Sequence, residues 1–149
     1  SVMSRYWNRP EATEQTLRGG WLHSGDMGRT DEDGYIYLSG RAKDFIKRGG
    51  EMISPEEVEQ VLRSHPELDD AAVIGVPDVE WGEEVRAVVV GRSDLVTEEQ
   101  IIEFCREKLA GYKRPRSVVF VGELPRNVMG KVLKRDLREE FSYPVKTRD

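Results

Sequence analysis

Four short stretches of this 149-residue chain combine residue types that could do chemistry. In His23-Ser24-Gly25-Asp26 the glycine permits a tight turn, which leaves the Asp26 carboxylate able to accept paired hydrogen bonds, as from the two hydroxyls of a ribose. Arg41, Lys43, Lys47 and Arg48 put four cations within eight residues, bounded by Gly40 and by Gly49-Gly50. Arg41 could bind the oxygens of a nucleotide, and the glycine pair would let a ligand approach bare backbone. Gly111-Tyr112-Lys113-Arg114-Pro115-Arg116 forms a cationic turn. In the fourth stretch, 125–135, Lys131 follows Gly130 in a polar loop, a long, mobile point charge able to reach negative charge developing on a carboxylate or phosphate. It is not a P-loop, since the spaced glycines and the hydroxyl residue after the lysine are both missing. Taken singly, each stretch has a plainer reading. These are a structural turn, an exposed hairpin with charged edges, cations favouring a helix C-terminus, and a solvated lysine.

The elements that must position these residues follow from periodicity and punctuation. Residues 9–17 suit a short helix ending at Gly19-Gly20, and 21–24, 27–30 and 35–38 are short strand candidates. Asp31-Glu32-Asp33-Gly34 reads as a hairpin turn, and a second hairpin, 45–47 with 51–53, turns at residues 48–50. The first forty residues therefore predict small antiparallel structure with little core. Ser54-Pro55-Glu56-Glu57 has the form of a capping box with proline at the first helical position, followed by the stripe Val58, Val61, Leu62. Apolar β-runs at 71–76, 85–90 and 118–121 surround a second capping box, Thr97 and Gln100, whose helix carries Ile101, Ile102, Cys105 and Leu109 on one face. A loop at 125–130 and a helix at 133–141 follow. The predicted fold class is α+β: two helices packed on a small mixed sheet, preceded by a short antiparallel tail.

Composition narrows the classes. Apolar residues are 38% and charged residues 34%, enough for a core beneath a heavily solvated surface. No apolar run approaches the roughly 20 residues that span a bilayer, so no transmembrane segment is predicted. The single cysteine cannot form an internal disulfide, which fits a reducing cytosol. The net charge of −5 is unevenly placed: residues 51–84 hold eleven acids and one base, residues 106–138 ten bases and three acids. The basic segment reads either as a solvated face or as a site for phosphates. Nucleic acid is disfavoured as a partner, because the aromatic ladder for single strands and any zinc-ligand spacing are missing. No metal site is assigned.

The order of the stretches is more telling than any one of them. Ser24-Gly25-Asp26; then Gly40 to Gly50 in the pattern Gly-Arg-x-x-Asp-x-Ile-Lys-x-x-Gly, running on into Ile53-Ser54-Pro55-Glu56-Glu57-Val58-Glu59; then Pro77-Asp78 with Gly82-Glu83; and finally Gly130-Lys131 with Lys134-Arg135 closely resemble the C-terminal motifs of the adenylate-forming superfamily. That superfamily comprises acyl-CoA synthetases, firefly luciferase and the adenylation domains of peptide synthetases. The resemblance covers the chain to about residue 140.

The resemblance implies two half-reactions: a carboxylate attacks the α-phosphate of ATP to give acyl-adenylate and pyrophosphate, then the thiol of coenzyme A displaces AMP. It implies ATP, Mg2+ and coenzyme A as substrates and cofactor of a full-length enzyme. Lys131 would be the catalytic residue, bridging carboxylate and α-phosphate. Asp26, Arg41, Lys47, Gly49 and Gly50 would bind cofactor, the first two at the ribose and the glycines beside the pantetheine thiol. Lys43 would be the hinge. Residues 1–42 would be the tail of a large adenylation domain and 43–149 the mobile small domain. The large domain, which holds the phosphate loop and the acyl pocket, is then a missing partner, and the chain alone should not turn over substrate. Ser24 stands where threonine is commoner, and Met52 where several relatives carry Arg or Gln near the phosphates. Trp21-Leu22-His23 and residues 129–138 look most like fatty-acyl and related acyl-CoA synthetases. A cytoplasmic enzyme is expected, with peripheral membrane association as a second option. The rival from another class is a non-catalytic α+β module that binds a nucleotide or a partner.

Overall fold

A computed structural model describes residues 2–142, and the chain divides into two units, Ser1–Lys43 and Asp44–Asp149. In the first unit, helix α1 (Pro10–Thr16) begins at its proline, as the missing N–H allows. Strands β1 (Asp26–Thr30) and β2 (Ile36–Arg41) pair antiparallel around the predicted turn. Asp31 organises that turn: its Oδ1 accepts the Asp33 and Tyr35 amides, and its Oδ2 accepts the Tyr37 hydroxyl at 2.8 Å. The Tyr37 bond is the main cause holding the Asp31 carboxyl below the usual range. The strand expected at 21–24 does not form. That segment is instead fastened to α1 by the His23 amide, which donates to the Thr16 carbonyl. No described residue of this unit is buried, and Trp7, Trp21, Ile36 and Leu38 are exposed.

The second unit is a layered domain. Strands β3 (Ile46–Arg48) and β4 (Glu51–Ile53) form a hairpin whose two central residues, Gly49 and Gly50, both take positive φ (56° and 88°). Such a turn matches the strands' twist but strains any residue with a Cβ. Helix α2 (Pro55–Arg63) follows, then β5 (Leu68–Asp78), β6 (Gly82–Gly91), α3 (Glu98–Arg106), β7 (Ser117–Phe120) and α4 (Lys134–Phe141). The sheet order is β4-β3-β6-β5, and β7 joins β6 in parallel after the α3 crossover. All other pairings are antiparallel, so the sheet is mixed.

Both faces of β5 and β6 are apolar, which is why the runs at 71–76 and 85–90 scarcely alternate. Ala71, Val73, Val85, Ala87 and Val89 face one core with Val58 and Leu62 of α2 and Ile101 and Cys105 of α3. Ala72, Ile74, Val76 and Val88 face the other, with Leu137 of α4 and with Leu124 from the segment after β7. The expected pair of helices on a sheet thus becomes two helices on one face and a third covering the back. Two local expectations change as well. Pro77-Asp78 lies within β5, pairing with Glu83 and Gly82. Ser54 sits at the α2 N-cap but makes no side-chain capping bond, whereas Thr97 and Gln100 complete their reciprocal box.

The uneven charge of the chain becomes pairing between its two halves. Lys113 meets Glu57 at 2.7 Å, Lys134 meets Glu59 at 2.7 Å, and Arg126 meets Asp70. Three bases of the basic segment, Lys113, Arg126 and Lys134, are thus matched to acids of the acidic one within the fold.

Candidate functional site

In the first unit, Asp26 and Arg41 are direct cross-strand partners at the mouth of the β1–β2 hairpin. Arg41 Nε lies 2.9 Å from Asp26 Oδ1, and its terminal nitrogen donates to the Ser24 carbonyl at 3.1 Å. The Ser24 hydroxyl in turn accepts the Asp26 amide. Arg41 thus engages Oδ1 of the carboxylate, an arrangement in which its second oxygen can accept from a ligand hydroxyl. Lys43 is the last residue of this unit.

In the second unit, Lys47, Gly49 and Gly50 share the β3–β4 hairpin. The Lys47 amide donates to Glu83 Oε2 at 2.6 Å and the Gly49 amide to the Trp81 carbonyl at 2.8 Å, while the Lys47 side chain is exposed. Trp81 lies over the turn. A Cβ on Gly49 would come within 2.7 Å of its ring, whereas one on Gly50 would meet nothing within 4 Å. The buried Arg48 guanidinium stacks over the same indole, 5.1 Å from the ring centroid, and its Nε finds no partner among the described residues.

Lys131 sits in the loop between β7 and α4, which folds on itself around Asn127. Asn127 Oδ1 accepts the amides of Met129 and Lys131 at 3.0 and 2.9 Å, and the Asn127 amide donates to the Lys131 carbonyl at 2.9 Å. Arg126 and Val132 bridge the base of the loop, and Arg126 donates to the Gly130 carbonyl at 2.5 Å. The backbone is thus fixed while the Lys131 side chain remains exposed, with Val128 and Met129 exposed beside it.

The two groups lie at opposite ends of the sheet. Arg48 pairs with Gly82, where β5 ends at Asp78. The Lys131 loop is held through Arg126 at Asp70, near the start of β5 and opposite Val90. Eight residues of strand separate the ends, roughly 26 Å. Sequence reasoning did not assign roles to Trp81, Asn127, Arg126, Asp70 or Glu59. For Glu59 a signal was legible: it is a charged residue adjacent to the apolar stripe of α2. The remaining contacts join segments far apart in sequence and leave no local pattern.

Among the described residues no group of three or more His, Cys, Asp or Glu could hold a metal ion. Nor is any helix of the described residues long and apolar enough to cross a membrane.

A mixed sheet with this hairpin at one end and this loop at the other defines a known class: residues 57–131 match the AMP-binding enzyme C-terminal domain, and the chain belongs to that family. Among its relatives is the long-chain-fatty-acid–CoA ligase FadD13 of Mycobacterium tuberculosis H37Rv, 46% identical over 97% of this chain. The 2-succinylbenzoate–CoA ligase of Bacillus cereus is 48% identical over 93% of it. The chain spans 29% of the length of each of these two ligases. Among solved structures, ATP-bound MatB from Rhodopseudomonas palustris superposes over 95% of this chain, and 28% of its own, with a TM-score of 0.87 at 40% identity.

Proposed function

We propose that this chain is the C-terminal part of an ATP-dependent acyl-CoA synthetase. Residues 43–149 are its mobile small domain and residues 1–42 the tail of a large domain that supplies the phosphate loop and acyl pocket. The observation that carries the reading is the separation of Lys131 from Gly49-Gly50 at opposite ends of one rigid sheet. A single domain can then present either end to the same pocket, turning about Lys43 between the half-reactions.

Attack of a carboxylate on a phosphate brings two anions together, so it needs a fixed cation where they meet. Lys131 meets that need, because its backbone is locked by Asn127 while its ammonium is free to reach. The thioester step needs an open approach for a thiol, and the bare backbone at Gly50 supplies it, next to Gly49 packed under Trp81 and with Lys47 beside it as a cation for the coenzyme's phosphates. Asp26, oriented by Arg41, accepts the ribose hydroxyls of ATP or AMP. The substrates are ATP, coenzyme A and a carboxylic acid, a fatty or related acyl chain in keeping with the ligases the chain resembles. A cytoplasmic setting fits a single, buried, reduced cysteine.

The exposed apolar residues of the first unit support the same reading, since a hairpin bearing Ile36 and Leu38 on its surface needs another body to cover it. In the full-length enzyme, Lys131→Ala is expected to lower adenylate formation by on the order of 10²–10³-fold, the cost of removing one preorganised electrostatic contact. Thioester formation from supplied acyl-adenylate should keep its rate. Equal loss in both half-reactions, read by pyrophosphate exchange and by thioester release, would overturn the assignment.

A further inference from the structure

The Lys131 loop is clamped at both ends by ion pairs, to β5 on one side and to α2 on the other. On its N-terminal side, Arg126 reaches Asp70 at the start of β5 while its other terminal nitrogen holds the Gly130 carbonyl, so one guanidinium ties the residue before Lys131 to the domain. On its C-terminal side, Lys134, only 16% exposed, lies 2.7 Å from Glu59 Oε1. Glu59 is 4% exposed, and its carboxylate also accepts the Val73 amide of β5 at 2.8 Å and Arg63 at 3.3 Å. Arg63 in turn lies 3.6 Å from Asp70, so the two anchors are joined into one network across α2 and β5.

Loop-to-domain charge pairs of this kind are not required by the core. The two apolar clusters are complete without them, and a buried carboxylate such as Glu59 is costly unless it is fully engaged. The network fixes the one loop whose lysine must meet a charge at defined distance. We infer that Asp70 and Glu59 are positioning residues for Lys131, acting through Arg126 and Lys134. They hold the loop where the ammonium serves adenylation and have no part in the thioester step. The inference rests on the reading of Lys131 given above.

The test uses the full-length enzyme with Asp70→Asn, a substitution that keeps shape and removes charge, compared with Asp70→Glu and Lys131→Ala. Displacing a reacting group by about an ångström costs up to about 10²-fold in rate. Asp70→Asn should therefore lower kcat for adenylate formation by on the order of 10–100-fold, with the KM for ATP nearly unchanged. Thioester formation from supplied acyl-adenylate should hold, and Asp70→Glu should recover much of the first step. Hydrogen exchange at the Met129 and Lys131 amides should quicken while β5 and β6 stay protected. Should Asp70→Asn fail to fold, Arg126→Lys carries the same comparison, because Arg126 is 43% exposed at its side chain and lies outside the core. Unchanged adenylation, or a parallel fall in both half-reactions, overturns the clamp. If Lys131→Ala abolishes adenylation while Asp70→Asn leaves it intact, the clamp fails and the reading of Lys131 stands. If Lys131→Ala leaves adenylation intact, the reading itself fails.

Discussion

Cys105 lies fully buried on the inner face of α3, among Val58, Leu62 and the apolar face of β5 and β6. Burial penalises the thiolate and pushes the Cys105 thiol up to about 11. In the unfolded chain a thiol titrates near 8.5, so the folded state binds more protons across the interval. Stability is then fully present below about pH 8.5 and is lost as pH rises toward 11. Lys113 adds a drift of the same sign further up. Its bond to Glu57 raises its pKa, so its contribution persists below the unfolded lysine value of about 10.4 and fades above the folded one. Denaturant unfolding between pH 7 and 10 should show stability falling from about pH 8.5. Cys105→Ala should flatten that fall, and iodoacetamide should modify Cys105 only on unfolding. A slope unaffected by Cys105→Ala would contradict the cause given. At this scale the sequence pointed to Asp26, Arg41 and Lys131 by residue type and order, but could not say that Asp26 and Arg41 pair with each other. That pairing depends on β1 and β2 meeting in register.

The β3–β4 hairpin is the element on which the thioester reading depends, and its two glycines separate backbone strain from side-chain crowding. Both have positive φ, so an alanine at either costs about 1–2 kcal/mol in backbone strain. At Gly49 the new Cβ also meets Trp81 at 2.7 Å, while at Gly50 it meets nothing. Gly49→Ala should therefore destabilise the protein more than Gly50→Ala, and Trp81→Ala should narrow the difference, as read from thermal or denaturant midpoints. Equal cost at both positions would mean that Trp81 yields freely. In the half-reaction assays Gly49→Ala should slow thioester formation and spare adenylation, the mirror image of Lys131→Ala. The hairpin itself was legible from Arg48-Gly49-Gly50 between two apolar pairs. Trp81 as its cover was not, because the contact joins residues more than thirty positions apart.

As a whole, the chain pairs a unit with no buried residue among those described and a unit with a core on each face of its sheet. Residues 44–149 expressed alone should fold cooperatively, with an unfolding transition close to that unit's transition in the given chain. Residues 1–43 expressed alone should lack fixed structure by circular dichroism. A stable, dispersed spectrum from 1–43 would remove the argument that its exposed Trp21, Ile36 and Leu38 await a covering body.

The sequence by itself determined most of the elements, because turns, caps and apolar periodicity are local: the helix stripes, the Gly49-Gly50 turn and the Thr97–Gln100 box need only neighbouring residues, whereas the strand expected at 21–24 did not form. It also determined the family, since the order of the motifs survives in one dimension. Only the tertiary structure decided what the uneven charge is for. The acids of 51–84 and the bases of 106–138 look like separate patches along the chain, and they become the Glu57–Lys113, Glu59–Lys134 and Asp70–Arg126 pairs when α2 and β5 come to lie beside the later loops. The same packing put Lys131 and Gly49 at opposite ends of one sheet. Coulomb attraction and strand pairing depend on distance in space, which separation along the chain does not encode.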